Sequence, residues 1–365
     1  MEKLRAFLQR KDIVISGRRY GIDALGAMAQ GLFCSLLIGT IVKTLGEQTG
    51  LQFLVDVGGF ASAMSGAAMA IAIGWALKAP PLALFSLATV GYAANELGST
   101  TLSGGRGAGG PLAVLFIAII AAEFGKAVSK ETKVDILVTP LVTILTGVGL
   151  SALAAPAIGT AATAVGNVIK WATNLQPFFM GIIVSVLMGM ALTLPISSAA
   201  ICTAFGLTGL AGGAAVAGCC ANMVGFAVLS FRENRWGGLV SQGIGTSMLQ
   251  MGNIVKNPRI WLPAIFTSAI TGPIATCLFR LEMNGPPVSA GMGTCGLVGQ
   301  IGVWTGWLSP SETALADGTA AIAPGAFEWA GLILISFVLP AALCWAFGIW
   351  FRRMGWIREG DLKLD

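Results

Sequence analysis

The feature that most constrains this chain is a succession of apolar blocks, most of them near the ~20 residues that a bilayer-crossing helix needs. They run over residues 23–42, 51–77, 81–94, 111–128, 134–158, 177–194, a Gly-rich stretch at 197–231, then 237–255, 260–279, 288–308 and 327–351. Only 11% of residues are charged and 55% are hydrophobic, so nothing is left over from which to build a soluble domain. The pattern predicts an all-α fold: a polytopic transmembrane helix bundle with about ten crossings. In hydrocarbon the backbone must satisfy its own hydrogen bonds, so broken or Gly-rich stretches at membrane depth have to be buried or line a cavity. Two blocks predict such broken or re-entrant segments: the short one from Pro81, and the one from Val288, which holds Gly291, Gly293, Gly296, Gly299 and Gly302.

Charge gathers at the ends. Lys3, Arg5, Arg10, Lys11, Arg18 and Arg19 precede the first block, and Arg352, Arg353, Arg358 and Lys363 follow the last. Because Lys and Arg stay on the cytoplasmic side, both termini are predicted to be cytoplasmic, and the first block is read as a retained helix rather than a cleaved signal. The organisation expected is a basic segment at 1–22, a transmembrane domain at 23–353 and a tail at 354–365.

Within the transmembrane domain a weak internal similarity suggests two repeats, about 23–158 and 176–308, followed by a last helix at 327–351. Gly31-Leu-Phe-Cys-Ser35-Leu-Leu-Ile-Gly39 matches Gly181-Ile-Ile-Val-Ser185-Val-Leu-Met-Gly189, and Gly66-Ala-Ala-Met-Ala70 matches Gly213-Ala-Ala-Val-Ala217 in the same order. Gly125-Lys-Ala-Val and Gly252-Asn-Ile-Val form a third pair. Duplicated bundles of this kind put their substrate site at the repeat interface, although Gly/Ala-rich membrane segments also match one another by chance.

Chemistry is confined to a few polar clusters. Glu96 opens Gly98-Ser-Thr-Thr-Leu-Ser-Gly-Gly-Arg-Gly-Ala-Gly-Gly110, where Ser99, Thr100 and Arg106 join backbone amides in a run able to hold a polyhydroxylated or anionic ligand. A flexible external loop would have the same composition. A second cluster is Asn284, Ser289, Thr294 and Gln300, set among prolines and glycines that free backbone carbonyls and amides. Thr208, Asn222, Gln250 and Asn253 are candidates for the same cavity, or for bonds between helices. Acidic groups at membrane depth are functional by default, but Glu123 and Asp135 stand beside Lys126, Lys130 and Lys133 and read as interfacial ion pairs. With no histidine and seven cysteines scattered in apolar surroundings, no metal site, cofactor or catalytic constellation is expected, and no aromatic-basic pattern points to nucleic acid.

Three motifs carry a resemblance. Val288 to Gln300, Gly125 to Thr143 and Lys256-Asn-Pro-Arg-Ile-Trp-Leu-Pro263 make the chain similar, from about residue 12 to 353, to the second family of EIIC-like membrane proteins of the bacterial phosphotransferase system, the group that includes the clostridial perfringolysin regulator. The resemblance implies an inner-membrane permease fold whose relatives move a sugar while a partner IIB protein phosphorylates it. Sugar-specific EIIC families have a Gly-Ile-Thr-Glu motif; the nearest segment here, Gly206-Leu-Thr-Gly209, lacks the Glu. The expectation is a transporter of a small polar solute, carbohydrates being one class, working by alternating access. It would be a homodimer in membrane lipid, with any IIA and IIB proteins as separate chains. The alternative is a membrane sensor that keeps the fold and binds a ligand without transporting it.

Overall fold

The computed structural model describes residues 2–105, 107–316 and 318–364, and among them the chain is helical with no strand, an isolated β-bridge joining Gly209 and Met283. Two compact units divide after Ala162.

Unit 1 begins with an N-terminal helix, α1 (Glu2–Arg10), followed by α2 (Arg19–Thr49), α3 (Gln52–Ala63), α4 (Ser65–Ala76), α5 (Pro81–Gly98), α6 (Gly110–Val128) and most of α7 (Asp135–Ala172). Prolines at the first turns of α5 and α6 suit positions whose N–H has no helical partner. The block from Pro81, expected to be re-entrant, forms the unbroken α5. By contrast, the block at 51–77 bends by 47° between α3 and α4. Helices α4 and α5 touch backbone to backbone, since a Cβ on Gly66 would stand 2.4 Å from the Gly91 carbonyl oxygen and one on Gly91 only 2.2 Å from that of Gly66. Small residues permit this approach, which is how helices gain dispersion energy in lipid.

The N-terminal segment is tied to the end of α6. Lys126, 2% exposed, pairs with Glu123 at 3.0 Å and donates to the carbonyls of Asp12 and Leu77 at 2.6 and 3.0 Å. Arg19 binds the Asp12 carboxylate and the Leu77 carbonyl, and the Tyr20 hydroxyl donates to Glu123. Glu123 is therefore the ion-pair member its neighbours suggested. Asp135 differs from that reading: its carboxylate accepts from the Thr139 hydroxyl at 2.6 Å and the Lys130 N–H at 2.7 Å, and so ties the preceding turn to the start of α7.

Unit 2 comprises α8 (Pro177–Thr193), α9 (Ser198–Phe205), α10 (Gly209–Leu229), α11 (Phe231–Val240), α12 (Met251–Lys256), α13 (Pro258–Leu278), α14 (Pro287–Ala290), α15 (Val298–Leu308), α16 (Glu312–Ala316) and α17 (Ala326–Arg353). Its centre is α10, packed by α8, α13 and α17. Among the described residues, six helices are long and apolar enough to cross a bilayer, or seven with the bent α3–α4 pair taken as one span. The other blocks of the expected ten are shorter or interrupted.

Candidate functional site

The interruption with the most chemistry lies between α13 and α15. At Arg280 the backbone turns left-handed, with φ of +46°, and the strand-like residue Met283 exchanges both hydrogen bonds with Gly209 at 3.0 and 3.1 Å. Gly213, in the first turns of α10, leaves room for the Leu281 carbonyl: a Cβ there would sit 1.7 Å from that oxygen. Asn284 is 3% exposed; its oxygen accepts a second bond from Gly209 N–H at 3.2 Å and its amide donates to Glu282 at 3.0 Å.

Pro286 and Pro287 then start α14, which lasts four residues before glycine takes over. Gly293, Gly296 and Leu297 are all left-handed, with φ of +54°, +52° and +60°. For a leucine that conformation costs about 1–3 kcal/mol and persists only where the surroundings impose it. Those surroundings are specific: the Ser198 hydroxyl donates to Gly291 O at 2.7 Å, the Thr294 hydroxyl to Gly243 O at 2.5 Å, and Gly299 N–H to Gly293 O at 3.0 Å. Gln300, at the start of α15, donates to Ser336 Oγ at 3.0 Å and Cys220 Sγ at 3.2 Å. Its Oε1 is buried with no hydrogen-bond partner among the described residues.

The expected break in the block from Val288 is thus present, and Asn284, Ser289, Thr294 and Gln300 stand along it, each 9% exposed or less. Thr208, also 9% exposed, immediately precedes the Gly209 that pairs with Met283. The other candidates are elsewhere. Asn222 sits at the middle of α10, donating to Gly218 O and Ser268 Oγ and accepting from Trp261 Nε1 and Thr193 Oγ1. All its polar valences are spent, one on its own helix and three on neighbouring helices. Gln250 and Asn253 bind the chain's own tail, at Leu362 O and Lys363 O.

In unit 1, Glu96 is exposed in the last turn of α5, and the hydroxyls of Ser99 and Thr100 bond back to Asn95 O and Leu97 O. The Gly-rich loop folds on itself, with Gly107 N–H on Ser99 O, Gly109 N–H on Gly98 O and Gly105 N–H on Thr101 Oγ1, which spends amides the sequence suggested for a ligand. Arg106 lies outside the described residues. Glu282 escaped sequence reasoning altogether: a carboxylate beside the segment, held by Asn284, whose signal was its place three residues before the Gly285-Pro-Pro287 run.

A helical chain low in charge with several helices long enough to cross, and a buried break lined by neutral polar groups, defines a multi-pass membrane protein. Comparison with known families narrows this further: the family described as "Phosphotransferase system, EIIC" matches residues 22–364, and the chain belongs to that family. It is accordingly a membrane transporter of phosphotransferase-system type. No curated protein and no solved structure matches it.

Proposed function

We propose that the chain moves a small polar solute, with carbohydrates the leading class, by alternating access, and that the break between Arg280 and Gln300 binds the solute. The observation that carries this is the buried Gln300 Oε1 without a protein partner, in a stretch where Asn284, Ser289 and Thr294 offer further neutral groups. Such an acceptor is costly unless something donates to it, and a sugar hydroxyl is a donor of the right kind. Neutral linings also avoid burying charge at membrane depth. Glu282 supplies a carboxylate near the segment, in place of the Glu missing from Gly206-Leu-Thr-Gly209.

In the same reading the protein is a homodimer in the inner membrane with both termini in the cytoplasm, and phosphorylation, where it occurs, comes from separate IIA and IIB chains. The chain has no histidine to carry a phosphoryl group.

Uptake of radiolabelled sugars and polyols by liposomes holding the purified protein tests the proposal. Ser289→Ala, Thr294→Ala and Gln300→Ala should each lower affinity about two- to tenfold, the effect of a hydrogen bond of about 0.5–1.5 kcal/mol. Glu282→Gln should do at least as much where a carboxylate meets hydroxyls, because charge-assisted bonds are about twice as strong. If all four variants transport like the parent while remaining folded, the break is packing and the site lies elsewhere. Binding without uptake would replace transport with sensing.

A further inference from the structure

After α17 the chain turns at Gly355, where φ is +71°, and residues 356–364 return over unit 2. Four side-chain amides receive them. Asn234 Nδ2 and Gln250 Nε2 both donate to Leu362 O, at 2.7 and 2.9 Å, and Asn253 Nδ2 donates to Lys363 O at 2.8 Å. Asn257 Nδ2 donates to Trp356 O at 3.0 Å and to the Asp361 carboxylate at 2.8 Å, while Asn234 Oδ1 accepts the Leu364 N–H at 2.8 Å. The Leu362 side chain is wholly buried, and the Arg259 guanidinium covers the Trp356 ring.

Two properties distinguish this from ordinary core packing. The receiving groups are nearly all carboxamides directed at main-chain atoms of a tail folded into turns, with Asp361 N–H on Arg358 O and Lys363 N–H on Gly360 O, so sequence is recognised through few side chains: the buried Ile357 and Leu362, Trp356 under Arg259 and the Asp361 carboxylate. The received segment is also rich in charge, with Arg358, Glu359, Asp361 and Lys363 among nine residues, a composition that does not build a core by itself. The amides of Gln250 and Asn253 are fully engaged only with the tail in place: each gives one N–H to the tail and the other to Gln242 Oε1 or Gln250 Oε1. Gln242 also bonds to Ser230 and Gly238 O, and the turn it opens carries Gly243, whose carbonyl receives Thr294.

We infer that Asn234, Gln250, Asn253 and Asn257 form a peptide-binding seat, and that the tail is its detachable occupant. The partner that fits the seat in the tail's place is a polypeptide segment that folds into the same turns, with leucine after an acidic residue.

A cleavage site for a specific protease, inserted between Gly355 and Trp356 of the full chain, lets the protein fold with its tail before cutting. A fluorescent peptide copying residues 355–364 should then bind the cut, washed protein saturably at one per chain, and at least tenfold more weakly to uncut protein, whose seat is filled. The same peptide with Leu362→Asp, or cut protein carrying Gln250→Ala and Asn253→Ala, should lose at least tenfold in affinity. Equal binding to cut and uncut protein, no binding to either, a tail fragment that survives washing, or indifference to Leu362→Asp would each overturn the inference. Should the cut protein aggregate, uncut full-length Leu362→Asp protein, checked for folding by size exclusion, replaces it with the same expected result. The readout needs no solute, so it stands or falls independently of the transport proposal.

Discussion

Replacing Asn222 by alanine separates a structural amide from a ligand-binding one. Asn222 is fully buried, and three of its partners lie on other elements: Ser268 Oγ at 3.2 Å, Trp261 Nε1 at 2.9 Å and Thr193 Oγ1 at 3.2 Å. Side-chain bonds between membrane helices average about 0.6 kcal/mol each. The Asn222→Ala change also strands the buried Trp261 indole N–H, and an orphaned buried donor costs about 1–3 kcal/mol. The two hydroxyls recover more easily, because Ser268 also bonds Ala264 O and Thr193 also bonds Gly189 O and Ser247. The expected destabilisation is about 2–4 kcal/mol, read as a shift in denaturant or SDS unfolding of the purified protein. The fraction that remains folded should bind solute with unchanged affinity, since Asn222 has no valence free for a ligand. An Asn222→Ala protein as stable as the parent but with weakened solute binding would refute the reasoning and return Asn222 to the site.

Three further outcomes are expected. The Asp12 carboxyl is held below its ordinary 3.8 by the Arg19 hydrogen bond, and Glu131 below its ordinary 4.5 by Lys11. A depressed carboxylate stabilises the fold above its ordinary value and ceases to as pH falls through its folded value, so a spin label at Ala6 should keep constant mobility from neutral pH down to about 4.5 and loosen in more acid solution; mobility unchanged to full protonation would show that these pairs do not anchor α1. Cysteines placed at Ala6 and Met354 should react with an impermeant maleimide only in opened cells, and labelling of either from outside would reverse the topology. Gly66→Leu, which forces a side chain into the 2.4 Å gap over the Gly91 carbonyl, should destabilise the protein by more than the roughly 1–3 kcal/mol typical of an overpacked core, measured by the same unfolding assay; an unchanged midpoint would mean that α4 and α5 do not meet there.

Much of the architecture was already legible in the sequence. Low charge and long apolar blocks leave a chain in lipid few options, because only helices close all backbone hydrogen bonds within one segment. The break after Val288 was legible for a related reason: five glycines in fifteen residues cost too much in a straight helix. The block at 81–94 misled because its length was judged by hydropathy alone, and α5 continues through Asn95 and Glu96 to Gly98 with polar residues that hydropathy discounts.

Sequence by itself determined that this is a helical membrane protein with an interrupted polar segment near its end, since hydropathy and backbone propensity are local properties of a chain. Which polar side chain serves which purpose was decided by tertiary structure. Asn222, Gln250, Asn253 and Asn284 look alike in the sequence, yet the first joins helices, the next two hold the tail and the last braces the break. A carboxamide carries two donors and an acceptor wherever it stands, and only the groups brought to it from distant parts of the chain, such as Trp261 at Asn222 or Leu362 at Gln250, fix what it does.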